Sequence, residues 1–210
     1  MLDFILVNEH SSVRLEGEIV VYIDPFHIVL ESKDADIILL THSHYDHFSM
    51  EDIKKIAKDE TVYIMPQSMI SDALKEGIPE EKICFVKPGD TLKLKNTAVK
   101  TYPSYNTNKP MHPKENGWVG YVVTINGYRV YVAGDCDKMP EGADISCDVA
   151  MIPIGGTYTM NPKEAAEYVN EIAPQYTIPT HYGSIVGKPE DFNEFFRNVN
   201  ENITVIRKLP

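Results

Sequence analysis

The stretch "THSHYDHFS" sets His42, His44, Asp46 and His47 within six positions, directly after the apolar run "DIILL". Neutral imidazoles and a carboxylate are the ligand types that suit zinc and its neighbours in the first transition row. The chain has 7 His among 210 residues. At that frequency the pattern H-x-H-x-D-H arises by chance in only about one such sequence in two thousand. Without a metal, imidazoles held this close favour neither protonation nor burial. A bound cation removes that conflict, so the cluster reads as a metal-ligating loop.

One loop seldom supplies every ligand. His10, His27, His112 and His181 remain. His181 follows "YTIPT", the end of an expected buried strand, and precedes Tyr182-Gly183. Asp135 stands in the same way at the end of "YRVYVAGD". Polar residues leaving a sheet at strand ends are where sites are commonly built. Together with the cluster, Asp135 and His181 suggest a pair of metal sites. His10 and His27 read as ordinary surface or core histidines.

The elements that must position these residues are mostly strands at first, then strands alternating with helices. "EGEIVVYIDPF" is a β-branched run broken at Asp24-Pro25, and "ADIILLTH" has the continuous apolar character of a buried strand. Ser49 and Asp52 have capping-box spacing, which predicts a helix over "MEDIKKIAKDE", with its start beside the histidines. A strand "TVYIMP" and a helix "SMISDALKEG" ending at Gly77 follow. "KICFVKPGDTLKLKNTAVKTYPSY" alternates as strands about a Pro88-Gly89 turn, and Asn126-Gly127 marks a hairpin in "GWVGYVVTINGYRVYVAGD". "DVAMIPIGG" and "QYTIPTHYG" flank a helix "NPKEAAEYVNEIA", whose start is set by Asn161, Pro162 and Glu164. A helix "PEDFNEFFRNV" and a strand "ITVIRKL" close the chain. This order implies two sheets covered by helices in one α/β domain spanning residues 1–210.

Composition limits the partners. A net charge of −11 argues against a broad nucleic-acid surface and against docking to an anionic membrane. The start "MLDFILVNEH" lacks the basic region of a signal peptide, and no apolar run reaches membrane-spanning length. Cys84, Cys136 and Cys147 show no C-x-x-C spacing and suit a reducing cytoplasm.

"THSHYDH", "VAGD" and "PTHYG", in this order and at these separations, resemble the metallo-β-lactamase superfamily of hydrolases over nearly the whole chain. The resemblance implies a four-layer αββα sandwich, two mixed β-sheets flanked by helices. "MIPIGGTYTMNPKEAAE" after "GWVGYVV" further resembles the small ascorbate-6-phosphate lactonase-like branch, on shorter motifs. Carried over by position, His42 and His44 match ligands of a first metal. Asp46, His47 and His181 match those of a second, and Asp135 matches the bridging carboxylate. The family places a further first-metal histidine just after the strand ending near "KTYPSY", where this chain has Asn106. His112, six residues on, can supply the imidazole if the loop folds back. An asparagine oxygen would suit a harder or weakly held ion better than zinc. Of the two, His112 is preferred.

The resemblance implies two zinc ions, with manganese or iron tolerated, and a metal-bridged hydroxide attacking a small ester, lactone or phosphoester. Asp46 can orient the nucleophile and pass its proton. His44 points to hydrolysis, because oxygen-handling diiron relatives carry a carboxylate at that position. A phosphodiesterase or nuclease of the same superfamily is the main alternative. A non-catalytic metal-binding member with a degenerate first site is another, motivated by Asn106. Gly155-Gly156 reads as a tight turn, with weak anion binding at the following helix start as the competing view. Tyr182 and Trp118 each read as packing or site-lining residues, and Cys136 as a small buried one.

Overall fold

The computed structural model describes residues 2–94 and 96–210. The first sheet contains β1 (Ile5–Val7), β2 (Val13–Glu16), β3 (Val20–Ile23), β4 (Ala35–Leu39), β5 (Ala57–Pro66) and β6 (Ile83–Val86), in that spatial order. The second contains β7 (Thr91–Leu94), β8 (Thr97–Pro103), β9 (Val119–Ile125), β10 (Tyr128–Val132), β11 (Val149–Pro153), β12 (Tyr176–Thr180) and β13 (Thr204–Val205), again in sequence order. Each sheet is mixed. β1 to β3 and β7 to β10 pair antiparallel, whereas β3 to β6 and β10 to β13 pair parallel.

The alternation of side chains along each strand builds the layers. Along β4, Ile37 and Leu39 enter the core between the sheets, where Tyr121, Val132 and Met151 of the second sheet also lie. Ile38 and Leu40 point the other way, into a core shared with Ile53 and Ile56 of α1 (Met50–Ile56) and Ala73 of α2 (Ile70–Lys75). On the far face of the second sheet, Ala150 and Ile152 of β11 pack with Ala165, Tyr168 and Val169 of α3 (Pro162–Ile172) and Phe195 of α4 (Asp191–Asn198). The order is helix, sheet, sheet, helix: the expected αββα sandwich. The central parallel strands β11 and β12 are buried throughout, as sheets covered on both faces require.

Several boundaries differ from the sequence expectation. The helix expected over 50–60 stops at Ile56, and residues 57–60 belong to β5. Ala57 pairs with Ala35, and the Thr61 hydroxyl donates to the Ala35 carbonyl at 2.6 Å, so sheet pairing overrides the local helical pattern. The helix expected over 68–77 opens as a 3-10 turn, Gln67–Met69, before α2. The last strand keeps only Thr204–Val205. The Pro88-Gly89 turn does not close a hairpin; it carries the chain from β6 in one sheet to β7 in the other. The α3 start is as expected, with Asn161 accepting from Lys163 N and Glu164 N. Asn126 and Gly127 both take positive φ, 51° and 79°, as a tight two-residue hairpin requires. No helix among the described residues is long and apolar enough to cross a membrane.

Candidate metal centre

The carboxyl ends of β3, β4, β10 and β12 open onto one edge of the sandwich, and each delivers a polar side chain there. Asp24 follows β3, the His42–His47 loop follows β4, Asp135 follows β10 and His181 follows β12. Ligand sites in open α/β sheets favour such strand ends. All seven residues expected from the sequence meet at this edge.

His42, His44 and His112 form one group, their ligand nitrogens mutually within 4.8 Å. His42 Nε2 lies 3.1 Å from His44 Nδ1. His42 Nδ1 lies 2.9 Å from the Thr41 hydroxyl, which itself donates to Asp24 at 2.6 Å. The Thr41 oxygen therefore accepts from His42 Nδ1–H, which leaves Nε2 with a free lone pair. Trp118 walls this group, its ring 4.9 Å from that of His42 and 5.1 Å from that of His44.

The loop between β8 and β9 does fold back. Asp137 fastens its start, accepting from Thr107 N at 2.9 Å and from the Lys109 ammonium. His112 N then donates to Asn106 Oδ1 at 3.1 Å, and His112 Nδ1 lies 2.7 Å from the same oxygen. The Asn106 amide nitrogen donates to the Tyr158 carbonyl at 3.0 Å, which fixes which end of the amide faces the imidazole. His112 Nε2 is turned into the centre, 3.4 Å from Asp135 Oδ2. Of the two residues weighed for this position, His112 reaches the centre, and Asn106 stands behind it.

Asp135 lies between the groups. Its Oδ2 is 3.0 Å from His181 Nε2 and 4.0 Å from His42 Nε2, and its Oδ1 is 3.3 Å from His47 Nε2. Asp46 Oδ2 lies 3.6 Å from His47 Nε2 and 3.8 Å from His181 Nε2. Burial opposes charge on each of these groups; the neighbouring charges outweigh it at Asp135 and His47, whereas at His42 burial prevails. Asp135 is held well below the usual carboxylate range by His181 and His47 despite its burial. His47 is raised well above the usual histidine value because Asp135 and Asp24 outweigh its burial. His42 is lowered well below it, by burial first and then by His47.

Sequence reasoning missed two participants. Asp24, fully buried, accepts from Thr41 N at 2.8 Å and from the Thr41 hydroxyl, and sits 2.7 Å from His47 Nδ1. The sequence signal was available, since "IDPF" ends a strand with a carboxylate just as "VAGD" does. His10, also fully buried, is not the ordinary histidine its sequence context suggests: its Nε2 lies 3.2 Å from Asp46 Oδ2 and its ring lies 3.7 Å from that of His181. Its backbone carbonyl accepts from His181 N at 3.0 Å. No spacing rule links position 10 to 46 or 181. His10, Asp24 and His181 all hold positive φ, between 47° and 57°, a rare state for residues with a side chain and one that concentrates at functional sites. His27 lies outside the centre, exposed beside Glu9 at 3.0 Å.

The residues fit divalent cations. His47 Nε2, His112 Nε2, His181 Nε2 and Asp135 Oδ1 are buried without a hydrogen-bond partner, and all four aim into this one space. Each such orphan costs about 1–3 kcal/mol unless something compensates it. The donors are nitrogen and oxygen only, a set that suits zinc and tolerates manganese or iron.

The remaining sequence candidates fall elsewhere. Gly155 is a close-approach glycine, since a Cβ there would lie 2.3 Å from the His181 carbonyl oxygen. The α3 start offers no free anion cradle, because Asn161 and Glu164 close a reciprocal capping box on it. Tyr182 packs in the core beneath α3 and α4. Cys136 is buried, and that burial pushes its thiol far up from reactivity.

A two-sheet sandwich with a histidine–aspartate centre at its strand ends defines a metallohydrolase type of fold. A family profile described as "Beta-lactamase superfamily domain" matches residues 5–181. The chain belongs to the metallo-β-lactamase superfamily. It is 31% identical over 96% of its length to a UPF0173 metal-dependent hydrolase of Thermoplasma acidophilum, covering 94% of that protein. A UPF0173 metal-dependent hydrolase of Thermococcus kodakarensis is 28% identical over the same shares of the two chains. Among solved structures, a metal-dependent hydrolase of Parabacteroides distasonis superposes with a TM-score of 0.82 at 28% identity, over 98% of this chain and 93% of that one. Igni18, a metallo hydrolase of Ignicoccus hospitalis, shares the fold at a TM-score of 0.79 and 22% identity, over 97% and 93%.

Proposed function

We propose that this protein is a dinuclear metal-dependent hydrolase of small molecules, built as one domain over residues 1–210 and working with two zinc ions. In this reading His42, His44 and His112 would hold the first ion and Asp46, His47 and His181 the second, with the Asp135 carboxylate available to both. The observation that carries the proposal is the convergence of four orphaned buried ligand atoms on one space. The names of the similar proteins support its coarser part, a metal-dependent hydrolase. Three free cysteines are consistent with a reducing cytoplasm as its place of action.

Two such ions supply a water of lowered pKa and polarise the group under attack. The chain supplies the rest. Asp46 reaches the cavity, where its carboxylate orients the attacking water and takes up the proton. His10 and Asp24 keep Asp46 and His47 aimed, as the outer partners of metal ligands do. The bond cleaved is an ester, lactone or phosphoester. A nuclease has no comparable support, given the net charge of −11.

The test is the metal content of purified and zinc-reloaded protein, alongside His112→Ala, followed by hydrolysis of an ester, lactone and phosphodiester panel. Two ions per chain, one lost in His112→Ala, with turnover of at least one class, is the expected result. A single ion unaffected by the substitution, with no turnover, would replace the enzyme by a non-catalytic metal-binding protein.

A further inference from the structure

The centre lies at the floor of a cavity of ≈ 270 Å³, just below the usual range of small-molecule pockets. Its rim is apolar: Tyr45, Met111, Tyr158 and Ile185, with Val186 beside them. Among the described residues, nine large hydrophobic side chains are exposed, and four of the nine are on this rim. Tyr45 is 68% exposed and Met111 44%. Isolated exposed hydrophobics are ordinary, but a group of them around one opening marks a binding surface.

Among the described residues, no Lys or Arg lines the cavity. The loop lysines close in sequence to His112 are engaged elsewhere, Lys109 with Asp137 and Lys114 with Glu141 at 2.9 Å. The helix start that follows Tyr158 has its backbone donors satisfied by its own capping box. A phosphoryl or carboxylate group away from the scissile bond is ordinarily held by Arg, Lys or free backbone N–H groups. Among the described residues no Arg or Lys faces this cavity, and the donors of the α3 start are taken.

Resting on the hydrolase reading above, we propose that the substrate is an uncharged carboxylic ester or lactone. Its apolar arm lies against Met111, Tyr158 and Ile185, and it bears no phosphate or carboxylate outside the bond that is cleaved. The reaction adds water across the acyl C–O bond. The water oxygen bonds to the acyl carbon, the C–O bond breaks, and one proton passes to the leaving alkoxide. The products are a carboxylic acid and an alcohol, joined in one molecule when a lactone opens.

The experiment uses zinc-loaded protein and p-nitrophenyl esters of acetate, butyrate and hexanoate, the hemiglutarate ester as the charged counterpart, and bis(p-nitrophenyl) phosphate. Calorimetry with two unreactive N-substituted γ-lactams, one with a hexyl arm and one with a carboxypentyl arm, reads binding apart from turnover. Each buried methylene is worth about fourfold, so kcat/KM is expected to rise about tenfold or more from acetate to hexanoate. The charged ester and the phosphodiester should fall about tenfold or more below it, and the hexyl lactam should bind about tenfold tighter than its carboxylate partner. Ile185→Lys should reverse the lactam preference while leaving the metal content unchanged. Equal or better use of the charged compounds overturns this inference and leaves the hydrolase standing. Tight binding of the hexyl lactam without hydrolysis of any ester overturns the hydrolase reading instead, leaving only the apolar pocket.

Discussion

Asn106 Oδ1 lies 2.7 Å from His112 Nδ1 and also accepts from the His112 backbone N–H at 3.1 Å. One amide thus fixes both the tautomer and the placement of an imidazole six residues away. Outer partners of this kind tune metal affinity by about 10–100-fold. Asn106→Ala is expected to retain two ions at saturation but to weaken the more labile one by about that factor in a competitive chelator titration. His112→Ala should lose that ion outright. Unchanged affinity in Asn106→Ala would remove Asn106 from the site's support.

Asp24 joins Thr41 and His47 through one buried carboxylate. Asp24→Ala leaves three donors unmet, at about 1–3 kcal/mol each. Urea unfolding of metal-free protein should show a loss of about 3 kcal/mol or more. A loss below about 1 kcal/mol would mean that water replaces the carboxylate at no cost.

His10 touches both Asp46 and His181, through its ring and through its backbone carbonyl. His10→Ala keeps the backbone bond and removes only the ring contacts. The expected outcome is a roughly tenfold weaker second ion, by the same outer-partner reasoning, with the first ion unaffected.

Trp118 is the single tryptophan and stands within 5.7 Å, ring to ring, of His42, His44 and His112. Its emission should therefore change on zinc addition to metal-free protein and follow the first ion. The change should vanish in Trp118→Phe, whose metal content stays the same, and should largely vanish in His112→Ala.

Gly155 leaves no room for a side chain, with the His181 carbonyl oxygen at 2.3 Å and Val186 Cγ2 at 2.7 Å from a Cβ placed there. Gly155→Ala must push His181 away from the centre. A stability loss of about 1–3 kcal/mol is expected, together with lower occupancy of the second ion in elemental analysis.

Much of the architecture was legible locally. The strand runs, the Asn126-Gly127 turn and the Asn161 helix start depend on backbone chemistry that neighbours in sequence fix. The end of α1 was not legible, because "AKDE" carries no stop signal and only pairing of Ala57 with Ala35 draws it into β5. The Pro88-Gly89 turn was visible as a turn, but which sheet its second strand joins is a long-range matter.

The sequence by itself determined the histidine–aspartate loop, the strand ends that carry Asp135 and His181, and two sheets covered by helices. Spacing and alternation are local properties, and they survive in one dimension. Only the tertiary structure decided that His112 reaches the centre with Asn106 behind it, that His10 and Asp24 support it, and that an apolar rim surrounds it. Each of these is a meeting of residues from loops far apart in the chain. Such meetings depend on how the two sheets stack and how the loop from Tyr105 to Trp118 is fastened, and no residue spacing encodes either.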